Sequence, residues 1–255
     1  MGRFAGKRVF VTAGAAGIGL AMAKAFRAEG AEVAVSDLDA SAIAALPDGI
    51  IGHVADVTSE AEMAAVFGAL DARWGGVDIV CANAGTGGPA GGIEALDFGE
   101  WRSCVSANLD GAFLTCRWAA GHMARQASGV ILLTSSTAGL FGYPLRSPYA
   151  AAKWGIVGLM KTLAMELGPN GVRVNALCPG SVEGVRMDRV LANEARARGQ
   201  SVGQIRESYV KGVSMKTWVT ADEVAEAALF LASDHAAKVS GLALPVDGHT
   251  ETLAP

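Results

Sequence analysis

Residues 8–26 read RVFVTAGAAGIGLAMAKAF. The β-branched run Arg8–Thr12 has the character of a buried strand, and a helical pattern starts at about Ile18 and stops at Gly30. Between them "TAGAAGIG" places Gly14, Gly17 and Gly19 where the chain must turn sharply. Glycines at such a turn let the backbone approach a pyrophosphate, and the helix that follows offers free N–H groups and the positive end of its dipole. A glycine-rich string alone is a weak signal, because tight strand–helix turns need glycine for steric reasons. The context strengthens it. A second strand, Glu32–Ser36, is followed at once by Asp37, 18 positions after Gly19, where a carboxylate would hold a ribose hydroxyl.

Outward from this unit the alternation continues. Strands are expected at Ile50–Asp56, Val77–Ala82, Gly129–Ser136, Val172–Cys178 and Leu242–Val246. Helices are expected from Ser59 to before Gly75, from Asp97 to about Met123, from Pro148 to Leu167, and after Thr220. Asp97 with Glu100 and Thr220 with Glu223 have capping-box spacing. Short apolar strands separated by helices predict an α/β fold, a doubly wound Rossmann-type domain with a parallel sheet of about seven strands. No repeat or linker interrupts the 255 residues, so one domain spanning 1–255 is expected.

Composition narrows the function. A net charge of −4 lacks the basic stripe of a nucleic-acid binder, and no apolar run has the length of a membrane span. The N-terminus runs directly into the first strand without a signal-peptide pattern. Cys81, Cys104, Cys116 and Cys178 stand apart with no paired spacing, which favours reduced, buried thiols and a cytoplasmic setting over a disulfide or metal framework.

The chemistry is carried by Tyr149-x-x-x-Lys153 in "PYAAAKWG". At helical spacing the two side chains share a face, about 6 Å apart along the axis. A tyrosine hydroxyl is a poor base at neutral pH, and a neighbouring cation favours its phenolate. Exposed helices also pair Tyr with Lys by chance, so the motif draws its weight from position: it follows the fifth strand, 13 residues after Ser136.

Together these motifs resemble the short-chain dehydrogenases/reductases, over Lys7 to about Gly248. Thr12–Gly19 matches the family's T-G-x-x-x-G-x-G turn, with Ala13 in place of the first glycine. The resemblance implies that Gly14, Gly17, Ile18, Gly19 and Asp37 bind NAD, and Asp56 and Val57 of "ADV" would contact its adenine. Asn83, Ala84 and Gly85 of "NAG" would brace the sheet beside the adenosine half. The same resemblance makes Ser136, rather than Ser135, and Tyr149 the groups that bond the substrate oxygen. Lys153 would support the phenolate and grip the ribose, and Asn108 in "SANLDG" would hold a helical kink and a proton-relaying water. Pro179, Gly180 and Val182 in "CPGSVEG" would embrace the nicotinamide, with Gly184 where the family usually has threonine. The implied activity is hydride transfer between NAD and a secondary alcohol or ketone, in a homotetramer. A biosynthetic ketoreductase of the 3-oxoacyl type, running on NADPH, is the rival; Asp37 and the lack of Arg or Lys at Ala16 and Leu38 speak against it. A binding protein that kept the fold and lost the chemistry would have dispensed with Tyr149 or Lys153.

Gly184–Lys216 is expected to cover the substrate as a flap. It is locally +4 in a chain whose remainder is −8. Met187, Val190, Leu191 and Ala195 would form one helical stripe, with Arg186, Arg189, Asn193 and Arg196 on another face. Arg186 and Arg189, joined by Arg146 three residues before Tyr149, are candidates to read an anionic substrate; the same arginines also fit a solvated helix face, and Arg186 a pyrophosphate contact. Phe113, Trp118, Trp154 and Leu159 suit either a subunit interface or the core.

Overall fold

Side chains alternate across a strand, so the first strand, β1 (Arg8–Thr12), sends Val9 and Val11 to one face and Phe10 to the other. The same alternation recurs in β2 (Glu32–Asp37), β3 (Ile50–Val54), β4 (Ile79–Ala82), β5 (Gly129–Thr134), β6 (Val172–Pro179) and β7 (Ala243–Val246). In this computed structural model, which describes residues 2–252, the strands form one parallel sheet in the order β3-β2-β1-β4-β5-β6-β7. The expected span 1–255 includes residues 1 and 253–255, which lie outside the described residues.

Each face of the sheet is covered. On one side Phe10, Val80, Ile131 and Val174 pack with α3 (Glu60–Trp74), α5 (Gly111–Gln126) and α6 (Ser147–Leu167) through Met63, Leu70, Met123, Ile156 and Met160. On the other, Val9, Val33, Ile79 and Leu132 pack with α1 (Gly17–Ala28) and the last long helix, Ala221–Ala232, through Met22, Phe26, Val224 and Leu229. Each fully buried side chain of this size contributes roughly 2–3 kcal/mol of transfer free energy. Ser59 and Asp97 cap their helices, accepting from the N–H groups of Glu62 and Glu100, so Asp97 makes its half of the expected capping box. Thr220 and Glu223 close a full capping box.

Two elements differ from the sequence reading. The helix expected from Asp97 to Met123 is α4 (Phe98–Val105) and α5 joined by a wide π turn, Ser106–Asp110. The flap folds as two helices, α7 (Val185–Arg198) and α8 (Val202–Lys211), the second opened by a Ser201–Gln204 capping box. With a short α2 (Ala40–Ala44) after β2, the 221–232 helix is α9. Leu191, Ala195 and Ile205 form a small core of their own with Met187, Tyr209 and Trp218.

Strand order reverses between β1 and β4, so the segments leaving their carboxyl ends part in opposite directions and open a crevice. No helix among the described residues is long and apolar enough to cross a membrane.

Candidate functional site

The crevice is a cavity of about 670 Å³ whose wall is built from strand ends. After β1 comes the glycine turn. Ala13 stands at φ +49°, in the left-handed region, and Gly17 follows at φ +52°. A Cβ on Gly14 would strike the Val35 side chain, and one on Gly19 the Ala13 carbonyl, so both glycines are required by packing. α1 starts on Ala16 without a side-chain cap, which leaves its first N–H groups open. The Asp37 carboxylate, at the end of β2, reaches back to accept from the Ala15 N–H at 3.1 Å, fixing the turn against the neighbouring strand.

Asn83 ties three strands together. Its amide nitrogen donates to the Thr12 and Ala13 carbonyls (3.1 and 3.3 Å), and its Oδ1 accepts from the Thr134 hydroxyl at 3.0 Å. Thr12 Oγ1 accepts in turn from the Asn83 and Ala84 N–H groups, both at 3.0 Å. The switch point is thereby locked on β1, β4 and β5 at once.

Beyond β5 the two serines divide. Ser135 is buried and spends its hydroxyl on the Lys153 carbonyl at 2.9 Å. Ser136 accepts from the Ala138 N–H at 3.1 Å, which leaves its own proton for a ligand. Tyr149 lies in the first turn of α6, half-buried on the cavity wall. Lys153 is buried, with Nζ 5.6 Å from the Tyr149 ring centre and donating to the Thr134 carbonyl at 2.8 Å. Burial, with Arg186 nearby, pushes the Lys153 ammonium down to about 7.

Asn108 sits in the π turn and donates to the Cys104 and Thr86 carbonyls at 2.8 and 2.9 Å. Its Oδ1 is buried without a partner. A Cβ on Gly85 would collide with that oxygen and approach Lys153 Nζ at 3.3 Å, so the two polar atoms face one small space.

Gly17, Ile18, Gly19, Asp37, Asn83, Gly85, Ser136, Tyr149, Lys153, Pro179, Gly180 and Val182 therefore share one wall, joined by Arg146 and Arg186. Gly14 and Ala84 lie behind it. Asp56 is turned into a local cap, accepting from the Thr58 N–H and hydroxyl, and Val57 packs against Gly111. Arg189 is exposed on α7, away from the wall. Sequence reasoning missed Tyr143, Glu194, Arg198 and Tyr209, which join the wall at its flap end. Glu194 pairs with Arg198 at 2.7 Å and accepts from Tyr209 at 2.6 Å, while the Tyr143 and Tyr209 hydroxyls lie 3.2 Å apart. Only the i,i+4 spacing of Glu194 and Arg198 was a usable signal.

These residues fit a dinucleotide: open helix N–H groups, space above Gly17, a carboxylate at the far end, and an orphaned Asn108 oxygen beside the buried lysine. Residues 13–249 match the family described as enoyl-(acyl carrier protein) reductase. D-beta-hydroxybutyrate dehydrogenase of Rhizobium meliloti (strain 1021) is 35% identical over 252 residues, covering 95% of this chain and 97% of its own. The crystal structure of levodione reductase matches with a TM-score of 0.91 at 32% identity, covering 96% of this chain and 97% of its own. That of NAD+-bound xylitol dehydrogenase gives 0.91 at 26%, covering 95% and 98%. A doubly wound sheet, its site at the switch point and this extent of similarity lead to one conclusion: the chain belongs to the short-chain dehydrogenase/reductase family of oxidoreductases.

Proposed function

We propose that the protein is an NAD-dependent dehydrogenase that interconverts a secondary alcohol and its ketone, with Tyr149 as general acid/base. The observation that carries this reading is the convergence of Ser136, Tyr149 and Lys153 on the wall that also holds the glycine turn and Asp37. The similarity to dehydrogenases, one of them named as NAD+-bound, supports it.

The bound nicotinamide supplies the hydride acceptor or donor; the chain supplies alignment and the proton path. Ser136 donates its free hydroxyl hydrogen to the substrate oxygen. Tyr149 takes the hydroxyl proton during oxidation and returns one during reduction. Lys153, pinned by the Thr134 carbonyl, places positive charge beside the phenolate and reaches the ribose hydroxyls. Asn108 Oδ1 holds a water against Lys153 Nζ, through which the proton leaves. Thr12 and Asn83 keep the strand ends in register. Asp37 accepts from the adenosine ribose, and no ion pair neutralises it among the described residues.

Tyr149→Phe is expected to lower turnover at least ~100-fold while cofactor affinity stays close to that of the parent. Near-parental turnover in the purified variant removes the mechanism. Catalytic efficiency is expected to favour NAD over NADP strongly, since Asp37 repels a 2′-phosphate; equal or better efficiency with NADP refutes that.

A further inference from the structure

Arg146 is an unusual arginine. Leu145, half-exposed, holds φ +62°, a left-handed conformation costly for a branched side chain, and the following residue turns inward. Arg146 is only 8% exposed and lies on the cavity wall. Its Nη2 donates to the Gly87 carbonyl at 2.7 Å, and its guanidinium carbon is 5.5 Å from the Tyr143 ring centre and 5.7 Å from that of Tyr149. Its Nε is buried with no hydrogen-bond partner.

A buried guanidinium without a counter-charge is costly, and an orphaned donor adds to the penalty. Nearby carboxylates do not relieve it. Glu194 is taken by Arg198 and Tyr209, and Glu183 by Arg206 at 2.5 Å. Arg186 stands on the same wall, likewise without an acidic partner among the described residues. A purely structural tether between α6 and the 86–88 loop accounts for the Gly87 bond and the ring stacking. It leaves Nε unexplained.

We propose that Arg146 binds the anionic group of the substrate, so that the substrate is a short hydroxy acid or the corresponding keto acid. This rests on the dehydrogenase reading above. A guanidinium edge matches a carboxylate with two parallel hydrogen bonds. Its place against the Tyr149 ring puts the carboxylate a few bonds from the carbon that bears the reacting oxygen. Arg186 contributes a second positive charge from α7, and Arg189 none.

The test uses the full chain with NAD and 2-hydroxybutyrate, 3-hydroxybutyrate and 4-hydroxypentanoate, each beside its methyl ester. The parent is expected to prefer the best acid over its ester by about 100-fold in kcat/KM, mostly through KM. Arg146→Gln, which retains a donor for Gly87, should cut that preference to roughly 5-fold or less, and Arg146→Lys should restore part of it. Thermal unfolding checks that both variants fold. A structural role would lower acid and ester by the same factor, and that result overturns the proposal, as does a parent enzyme indifferent to the charge. Calorimetry of acetoacetate with the enzyme–NADH complex separates the two readings. If no compound reduces NAD yet acetoacetate binds the parent and not Arg146→Gln, the anion site stands and the dehydrogenase reading falls. If esters are oxidised as well as acids, the dehydrogenase reading stands and the anion site falls. Neither turnover nor binding overturns the anion site.

Discussion

Ala13 holds a backbone conformation that an alanine pays for, at φ +49° where the family's turn has glycine. The left-handed form costs a non-glycine residue about 1–2 kcal/mol, and glycine's extra freedom in the unfolded chain returns part of that. Ala13→Gly is therefore expected to raise the unfolding midpoint by about 1–3 °C; a lowered midpoint in scanning calorimetry contradicts this account of the turn. Lys153 makes a second residue-level prediction. Its folded pKa is about 7 against 10.5 for the free side chain. Below about 7 both states hold the proton and the burial penalty is fully present. Between 7 and 10.5 the unfolded chain binds more protons than the folded one, so stability must rise with pH. Urea unfolding of the cofactor-free protein from pH 6 to 9.5 should show that rise, and Lys153→Met should flatten it. A parallel slope in the two proteins would assign the pH dependence elsewhere.

At the scale of elements, the end of α9 depends on one side chain from another strand. Arg173 on β6 donates to the carbonyls of Leu231, Ala232 and Ser233 at 2.5–3.1 Å, satisfying acceptors that a helix terminus leaves open. Arg173→Met should destabilise the protein by roughly 2–4 kcal/mol, because the partly buried carbonyls lose their donor; a change within experimental error in denaturant titration means water replaces it. The π turn at Ser106–Asp110 was visible in the sequence only as the kink that the family resemblance places at Asn108; the residue pattern itself did not show it. One extra residue advances a helix by about 100°, but the apolar residues of Asp97–Met123 are spread round the helix and do not mark that change of phase, so the segment read as continuous. The second flap helix was missed although Ser201 and Gln204 carry a capping-box pattern, because the segment around them is mostly polar. The strand–turn–helix units, by contrast, were legible, since β-branched runs such as Val9–Thr12 and the glycines after them are fixed by short-range sterics.

For the whole molecule, what could be read along the chain was the set of strand ends that carry chemistry. What could not be read was which residues meet across them. Asn83 could be singled out, but its bonds to Thr12 and Thr134 require the sheet order, and Arg146 could be named as a candidate for an anionic substrate while its burial against Tyr143 and Tyr149 could not be read. The outer surface also resolves a choice left open by the sequence. Trp118 stacks on Phe67 at 4.7 Å within the subunit and Leu159 packs on its core, whereas Phe113 and Trp154 stay about half exposed on α5 and α6. We expect those two helices to pair in a homotetramer of closed symmetry. Light scattering at micromolar concentration should give four times the chain mass, and a monomer would end that expectation.

The flap's private core has a consequence for how such a protein changes over time. Leu191, Ala195 and Ile205 pack with Met187, Tyr209 and Trp218, in a cluster apart from the two that hold the sheet. Mutations on α7 and α8 can therefore accumulate without taxing the folding of the sheet and of α6, which together position Ser136, Tyr149 and Lys153. Substrate choice is free to drift while hydride chemistry is inherited intact, and a lineage can explore new metabolites by rewriting some thirty residues.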